Sequence, residues 1–359
     1  MPASTPPPRL TPAPAALSRT APAGRAVSLA DVASLAGVSP GTVSRALSRP
    51  DMVQPDTRQR VREAAERLGY VANGAARALA MRRTATVGAL IPRFGGSSFP
   101  SMVQALESTL AEHGYTLLLS APDHARARDP ALLRTLLERG VDAVALLGSD
   151  HPPAFHAMLA AHPRPCVRLW GAPDGPGPCV TFDEGAAIDA IVDHLAALGH
   201  RRLAFIGGRV ADNERARWRR HGLLQAVARR GMTLADDAMI ECDYGFREGH
   251  VAMQALLARR LPVTATLCGN DYLAAGALSA LHAAGWEVPR RMSLAGFNDN
   301  DFAPFLQPPL TTVRVPIAEM GERAGLYLVD ALAGRAPAAP ALLAAGLVAR
   351  GSTGEAPRG

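Results

Sequence analysis

Ser28-Leu-Ala-Asp-Val-Ala-Ser-Leu-Ala-Gly37-Val-Ser-Pro-Gly-Thr-Val-Ser-Arg45-Ala-Leu47 reads as a helix, a tight turn and a second helix. Ser28 is placed to cap the first helix, and Val32, Leu35 and Ala36 to form its buried stripe, with Ala33 small enough for a close neighbour. Gly37 suits the left-handed residue that ends a helix and opens a sharp turn. Val38 is expected beneath that turn. Ser39 caps the next helix, and Pro40 takes its first position, where a missing N–H costs nothing. Val43 and Leu47 are expected to face inward, leaving Thr42, Ser44, Arg45 and Ser48 outward. A short helix with small polar residues and one arginine outside fits a DNA major groove.

The sequence continues with Val53-Gln-Pro-Asp-Thr57-Arg58, which starts a third helix with Val61, Ala65 and Leu68 as its stripe. Tyr70-Val-Ala-Asn73 and Gly74-Ala-Ala-Arg-Ala-Leu79-Ala80 follow. From Ser28 to Arg83 nine arginines oppose five acids, a local charge of +4 within a chain of net +6. Such a concentration is an electrostatic footprint for nucleic acid. All 38 basic residues of the 359-residue chain are arginine, the side chain that pairs bidentately with phosphate and guanine.

Asp31-Val-Ala, Ala36-Gly-Val-Ser, Thr42-Val-Ser-Arg, Thr57-Arg, Leu68-Gly-Tyr and Asn73…Leu79-Ala80 together resemble the lactose/galactose-repressor (LacI/GalR) family of bacterial transcription regulators. The resemblance implies DNA contacts from Ser28, Leu29, Ser39, Pro40, Gly41, Thr42, Ser44, Arg45, Ser48, Thr57, Asn73, Ala76 and Leu79. It further implies that Asn73 to Ala80 folds as a hinge helix on DNA and wedges Leu79 into the minor groove.

Composition bounds the rest. Apolar residues make up 48% of the chain, enough for a large core. No run of about eighteen apolar residues suggests a membrane span. Residues 1–26, rich in Pro, Ala, Ser and Thr and free of acids, read as a disordered tail without a secretory apolar core. Cys166, Cys179, Cys242 and Cys268 form no Cys-x-x-Cys pair, so reduced thiols in the cytoplasm are expected. No metal or cofactor motif and no catalytic set stands out.

From Ala85 onward, apolar strands alternate with amphipathic helices. Strands are expected at Thr86–Ile91, Tyr115–Ser120, Ala143–Leu147, Pro165–Leu169, Leu203–Ile206, Met239–Glu241, Ala265–Cys268 and Ser293–Gly296. Helices are expected at Phe99–His113, Pro130–Arg139, Gly185–Leu198, Arg217–Arg230, Gly249–Leu257 and Tyr272–Ala284. The alternation means βαβ units and parallel sheets. The fold class expected is α/β: an all-α helix-turn-helix head followed by a core of two parallel-sheet, Rossmann-like lobes, like periplasmic binding proteins. Gly199-His200, Arg219 three before Gly222, Asn270-Asp271…Gly276, Ser293-Leu-Ala-Gly-Phe297, Pro309-Leu-Thr-Thr and Arg350-Gly-Ser-Thr resemble landmarks of the same family's effector-binding core.

The domains expected are a head at 27–72, a hinge and linker at 73–83, and the core at 84–359. By the family's pattern the N-lobe takes about 85–199 and 315–336, and the C-lobe about 200–314 and 337–359. Arg219 is the leading effector ligand, with Arg217 as its alternate. Asn270 and Asp271 end one strand, although Asp271 suits a helix cap. Asn298 and Asp299 end another, and the family more often carries Asp where Asn298 stands. Phe99, Trp170 and Tyr244 resemble effector-stacking positions. The reading is a homodimeric, sequence-specific regulator, a repressor of metabolic genes. It is expected to bind a near-palindromic operator and answer to a sugar, a sugar acid or a purine. The alternative is a transport-type sugar-binding protein, which an absent export signal and the +4 head disfavour.

Overall fold

The computed structural model describes residues 27–71, 74, 78, 83–92, 95–123, 126–340 and 342–357. The expected tail, and the hinge positions Asn73, Ala76 and Leu79, lie outside the described residues. The chain divides into two compact units, at Arg82/Arg83.

The first unit is a bundle of α1 (Leu29–Ala36), α2 (Pro40–Ser48) and α3 (Pro55–Leu68). A capping box starts α1. The Ser28 backbone N–H and hydroxyl both donate to Asp31 Oδ2, at 2.8 and 2.6 Å, and the Asp31 N–H returns a bond to Ser28 Oγ. Gly37 ends α1 at φ 66°, with its N–H bonded back to α1 carbonyls. Ser39 caps α2 and Pro40 occupies its first turn. The core is made of small side chains: Val32, Ala33, Ala36, Val43, Ala46, Val61, Ala64 and Ala65, with Val38 and Leu68 packed beside them. Two expectations fail here. Leu35 is 43% and Leu47 36% exposed. The i, i+3 pairs Ala33/Ala36 and Val43/Ala46 take the inner face, which turns both leucines outward.

The second unit contains two parallel sheets. The first comprises β1 (Thr86–Leu90), β2 (Thr116–Ser120), β3 (Ala143–Leu147), β4 (Cys166–Leu169), β5 (Cys179–Phe182) and β11 (Leu342–Leu343), in the order β11-β5-β4-β3-β1-β2. The second comprises β6 (Leu203–Gly208), β7 (Met239–Cys242), β8 (Ala265–Cys268) and β9 (Ser293–Ala295), in the order β7-β6-β8-β9. Helices α4 (Phe99–Glu112), α5 (Pro130–Glu138), α6 (Pro153–Ala161), α7 (Glu184–Ala197), α8 (Glu214–Arg229), α9 (Phe246–Ala258), α10 (Asp271–Ala283) and α11 (Ile317–Leu332) complete the layers. β10 (Thr312–Arg314) and β12 (Gly346–Val348) pair as an antiparallel ribbon where the chain passes between the sheets.

Continuous apolar runs explain why the strands are buried on both faces. Ala143 to Leu147 and Ala265 to Cys268 are buried at every residue. One apolar cluster runs through both sheets, and the rings of Phe182 and Phe297 lie 6.5 Å apart within it. Each fully buried side chain of this size contributes roughly 1.5–3 kcal/mol.

The sequence reading missed β5, β10, β11, β12, α6 and α11. It also began α8 and α9 about one turn late, because their first turns are polar: Asn213-Glu-Arg-Ala and Gly245-Phe-Arg-Glu. The expected return to the second lobe at 337 is likewise too early. Leu342 and Leu343 pair with Thr181 and Phe182, so the chain stays with the first sheet through Leu343.

Candidate functional site

Open α/β sheets present ligand crevices at the carboxyl ends of their strands. Here the two sheets meet around a cavity of about 240 Å³. Phe99, Trp170 and the Gly95–Ser98 turn line it from the first sheet. Asn213, Arg215, Arg219, Tyr244, Asn270 and Asn298 line it from the second. The expected residues Phe99, Trp170, Arg219, Tyr244, Asn270 and Asn298 therefore share one wall-to-wall space.

Arg219 is 3% exposed. Its Nη2 lies 2.5 Å from Glu184 Oε1, its Nη1 donates to the Gly269 carbonyl at 2.6 Å, and its guanidinium sits 3.9 Å above the Phe297 ring. Arg219 Nε has no hydrogen-bond partner. Glu184 also accepts from Trp170 Nε1 at 3.1 Å, so one carboxylate holds an aromatic of one sheet and an arginine of the other. Trp170 meets the Phe99 ring edge-on at 6.2 Å. Trp170 and Asn298 both hold positive φ, 51° and 110°, a backbone region that side-chain-bearing residues rarely occupy outside special sites.

Hydrogen bonds cross the cleft. Asn270 Nδ2 donates to the Gly96 carbonyl at 2.7 Å, and Asn298 Nδ2 to Ser98 Oγ at 3.0 Å. Ser98 Oγ in turn donates to Asn300 Oδ1 at 2.8 Å. Asn298 Oδ1 is buried without a partner. The close approach at Gly96 (φ 67°) admits no Cβ, which would collide with the Tyr244 carbonyl. On a second flank, Glu214 Oε1 accepts from the Ser149 N–H at 2.6 Å. Glu214 lies 3.6 Å from Arg215, yet burial still pushes its carboxyl above the usual range.

Three expected residues lie elsewhere. Arg217 pairs with Asp150 at 2.5 Å and donates to the Val210 and Ala211 carbonyls. Arg215 stands in the cavity in its place, because residues 215 and 219 share a helix face and 217 does not. Asp271 is not the cap of α10: Asn270 is, its Oδ1 accepting from the Leu273 N–H at 2.9 Å. Asp271 is fully buried and accepts from the Thr312 hydroxyl, the Asn300 N–H and Asn300 Nδ2, at 2.6, 2.6 and 3.1 Å. Burial raises its carboxyl to about 6. Asp299 pairs with Arg314 and Arg350 at 2.7 and 2.6 Å, pinning the segments that cross between the sheets. The sequence reading named neither Glu184 nor Asn213, and it did not single out Arg215 or Ser98 as site residues.

On the head, Arg45 and Ser44 are exposed on α2, beside exposed Pro40 and Gly41. Ser39 and Thr42 hydroxyls bond each other at 2.9 Å, and Ser48 Oγ donates to the Ser44 carbonyl at 2.6 Å. Thr57 Oγ1 accepts from Arg60 at 3.4 Å, and Leu29 packs against the head core.

Residues 28–73 match the family described as bacterial regulatory proteins, lacI family, and residues 192–353 the periplasmic binding protein-like domain. The chain is 33% identical over 332 residues to the HTH-type transcriptional repressor CytR of Escherichia coli (strain K12), covering 91% of this chain and 96% of that protein. It is 33% identical over 296 residues to the ribose operon repressor of the same strain, covering 82% and 89%. Among solved structures, the lac repressor dimer bound to operator and the anti-inducer ONPF superposes with a TM-score of 0.80 at 26% identity. That match covers 92% of this chain and 100% of that one.

Proposed function

This chain belongs to the lacI family of bacterial regulatory proteins and is an effector-controlled, DNA-binding transcriptional repressor of metabolic genes; from that premise we propose that its effector is a small, neutral, hydroxyl-bearing metabolite, a sugar before a purine. The observation that carries this reading is the pairing of charge in the cleft. Arg219 faces Glu184, Arg215 faces Glu214 and Arg209 faces Asp243 at 3.0 Å. Each cation already has a carboxylate, so a second anion from a ligand would meet a site with no charge left to balance it. Buried Arg219 Nε and Asn298 Oδ1 offer one donor and one acceptor, a match for a hydroxyl, which is both. A volume of about 240 Å³ lies below the 300–1,000 Å³ usual for drug-sized ligands and suits a single ring. The sugar acid weighed from sequence is thereby disfavoured.

Arg45, Thr42 and Ser44 would read the operator half-site, and the protein would act as a cytoplasmic homodimer. Among the described residues, no helix is long and apolar enough to cross a membrane. Phe246, Tyr272 and Phe302 cluster with ring centroids 4.9–5.5 Å apart, Phe246 being 51% exposed. Phe305, three residues after Phe302, is 82% exposed. That aromatic face is our choice for the dimer contact. The cleft groups bond to one another as hydrogen-bond formers, and we read the protein as a regulator and not an enzyme.

The test is fluorescence anisotropy on the operator with neutral monosaccharides and nucleosides set against sugar acids and sugar phosphates. A response confined to the neutral compounds supports the reading. A response confined to the anions refutes it.

A further inference from the structure

A second cavity, of about 380 Å³, lies at the opposite end of the second sheet, by the amino ends of β8 and β9. Its walls are largely apolar, with Met253, Leu256, Leu261, Trp286 and Met292 among the residues that line it. Its mouth is cationic. Arg260 and Arg291 line it, both exposed, and neither has a carboxylate partner among the described residues. The nearby Glu287 is engaged by Arg290 at 3.1 Å. Among the described residues, no acid lines the cavity.

We propose that this cavity is a second ligand site, one that takes a small amphipathic carboxylate, with an apolar chain or ring inside and the carboxylate between Arg260 and Arg291. The guanidinium of Arg291 lies 3.8 Å above the Trp286 ring. Stacking holds its plane and leaves its edge N–H groups to meet a carboxylate in the bidentate manner. Less side-chain freedom is then lost on binding. Inside, Thr266 is fully buried, and its hydroxyl donates only to Met292 Sδ at 3.5 Å, a weak acceptor. Two flexible methionines let the walls adapt to a chain or a ring. Charge separates the two sites. The cleft balances each arginine with an acid, whereas this mouth carries two unbalanced cations over an apolar floor.

The test is calorimetric titration of the full-length protein with octanoate, octanol and octylammonium. Octanoate is expected to bind at one site per chain, about tenfold or more tighter than octanol, the effect of one charge-assisted contact. Octylammonium is expected not to bind. Arg260→Ala/Arg291→Ala, at two exposed positions, is expected to reduce octanoate to the affinity of octanol. Leu261→Trp, which fills the cavity, is expected to abolish both; if a melting curve shows that it does not fold, the arginine pair decides. Equal affinity for octanoate and octanol overturns the proposal. So does undiminished octanoate binding in the double-arginine variant or in folded Leu261→Trp.

Discussion

Removing Arg219 is expected to damage the core as well as the effector response, and the structure sets the size of the damage. Arg219→Ala deletes a guanidinium that is 3% exposed and leaves Glu184, whose side chain is 11% exposed, with its charge uncompensated. Breaking a buried pair from one side costs about 3–5 kcal/mol. The lost bond to the Gly269 carbonyl, of a kind typically contributing about 1.5–3 kcal/mol, belongs to the same deletion and is not added in full. A loss of about 4 kcal/mol follows, a large share of the usual 5–15 kcal/mol. Replacing both partners removes the orphaned charge, so Arg219→Met/Glu184→Gln is expected to recover most of the loss while remaining unresponsive to effector. Urea unfolding followed by tryptophan emission measures it, since Trp170 touches Glu184. The reasoning fails if Arg219→Ala costs less than about 1 kcal/mol, or if the double variant is no more stable than the single one.

Three further outcomes are expected. Arg45→Ala weakens operator binding by about 1–3 kcal/mol, with a smaller effect on unrelated DNA, as anisotropy at fixed salt will show. Phe305→Glu, at a position 82% exposed, shifts light-scattering mass from dimer to monomer while the circular dichroism spectrum stays that of the folded chain, and any fall in melting temperature is the one that losing a partner subunit brings. The third concerns pH, where two buried groups act in opposite directions. Asp271, raised to about 6, holds a proton in the folded core that the unfolded chain releases from about pH 4 upward, so its contribution makes the core less stable as pH rises through 4–6. His151, lowered to about 4 by burial and by His156, takes its proton only on unfolding, so its contribution is lost as pH falls from 6.5 towards 4. Relative to wild type, Asp271→Asn therefore steepens the loss of stability on acidification between pH 6 and 4, and His151→Gln lessens it. Stability differences measured by denaturant titration at each pH check both signs.

The head was legible because its signals are local. Ser28 with Asp31, Gly37, and Ser39 before Pro40 each fix a helix end within four residues. Leu35 and Leu47 misled because hydrophobicity alone ranks a leucine above an alanine, whereas three helices packed this closely admit only Val and Ala between them. In the core, strands such as Ala143–Leu147 announced themselves by unbroken apolar runs. Asn270 and Asn298 were found because each follows such a run. Arg215 was missed because the start of α8 was set three residues late, which left Arg215 outside the helix and hid that it stands one turn before Arg219 on the same face, whereas Arg217, the alternate offered, does not. Glu184 gave no local sign of its role, because Arg219, its partner, lies on another helix and is brought to it only when the two sheets close on one cavity. The same holds for Asp271 and Asp299. Their sequence positions at strand ends are right for ligands, but Thr312, Arg314 and Arg350 arrive from later segments and claim them.

If the effector binds in this cleft as proposed, the bonds that cross it make binding an exchange reaction. A ligand hydroxyl that takes the N–H Asn298 gives to Ser98 displaces Ser98, and one that takes the N–H Asn270 gives to the Gly96 carbonyl displaces that carbonyl. Each new contact therefore contributes only the difference between two hydrogen bonds. Affinity at the proposed site would then rest on the orphaned atoms, Arg219 Nε and Asn298 Oδ1, and on ring contact with Phe99 and Trp170. Discrimination follows the same arithmetic. A ligand that displaces Ser98 without replacing its bond leaves two polar groups unmatched, one on each side of the cleft, so near-miss metabolites are rejected by both lobes at once.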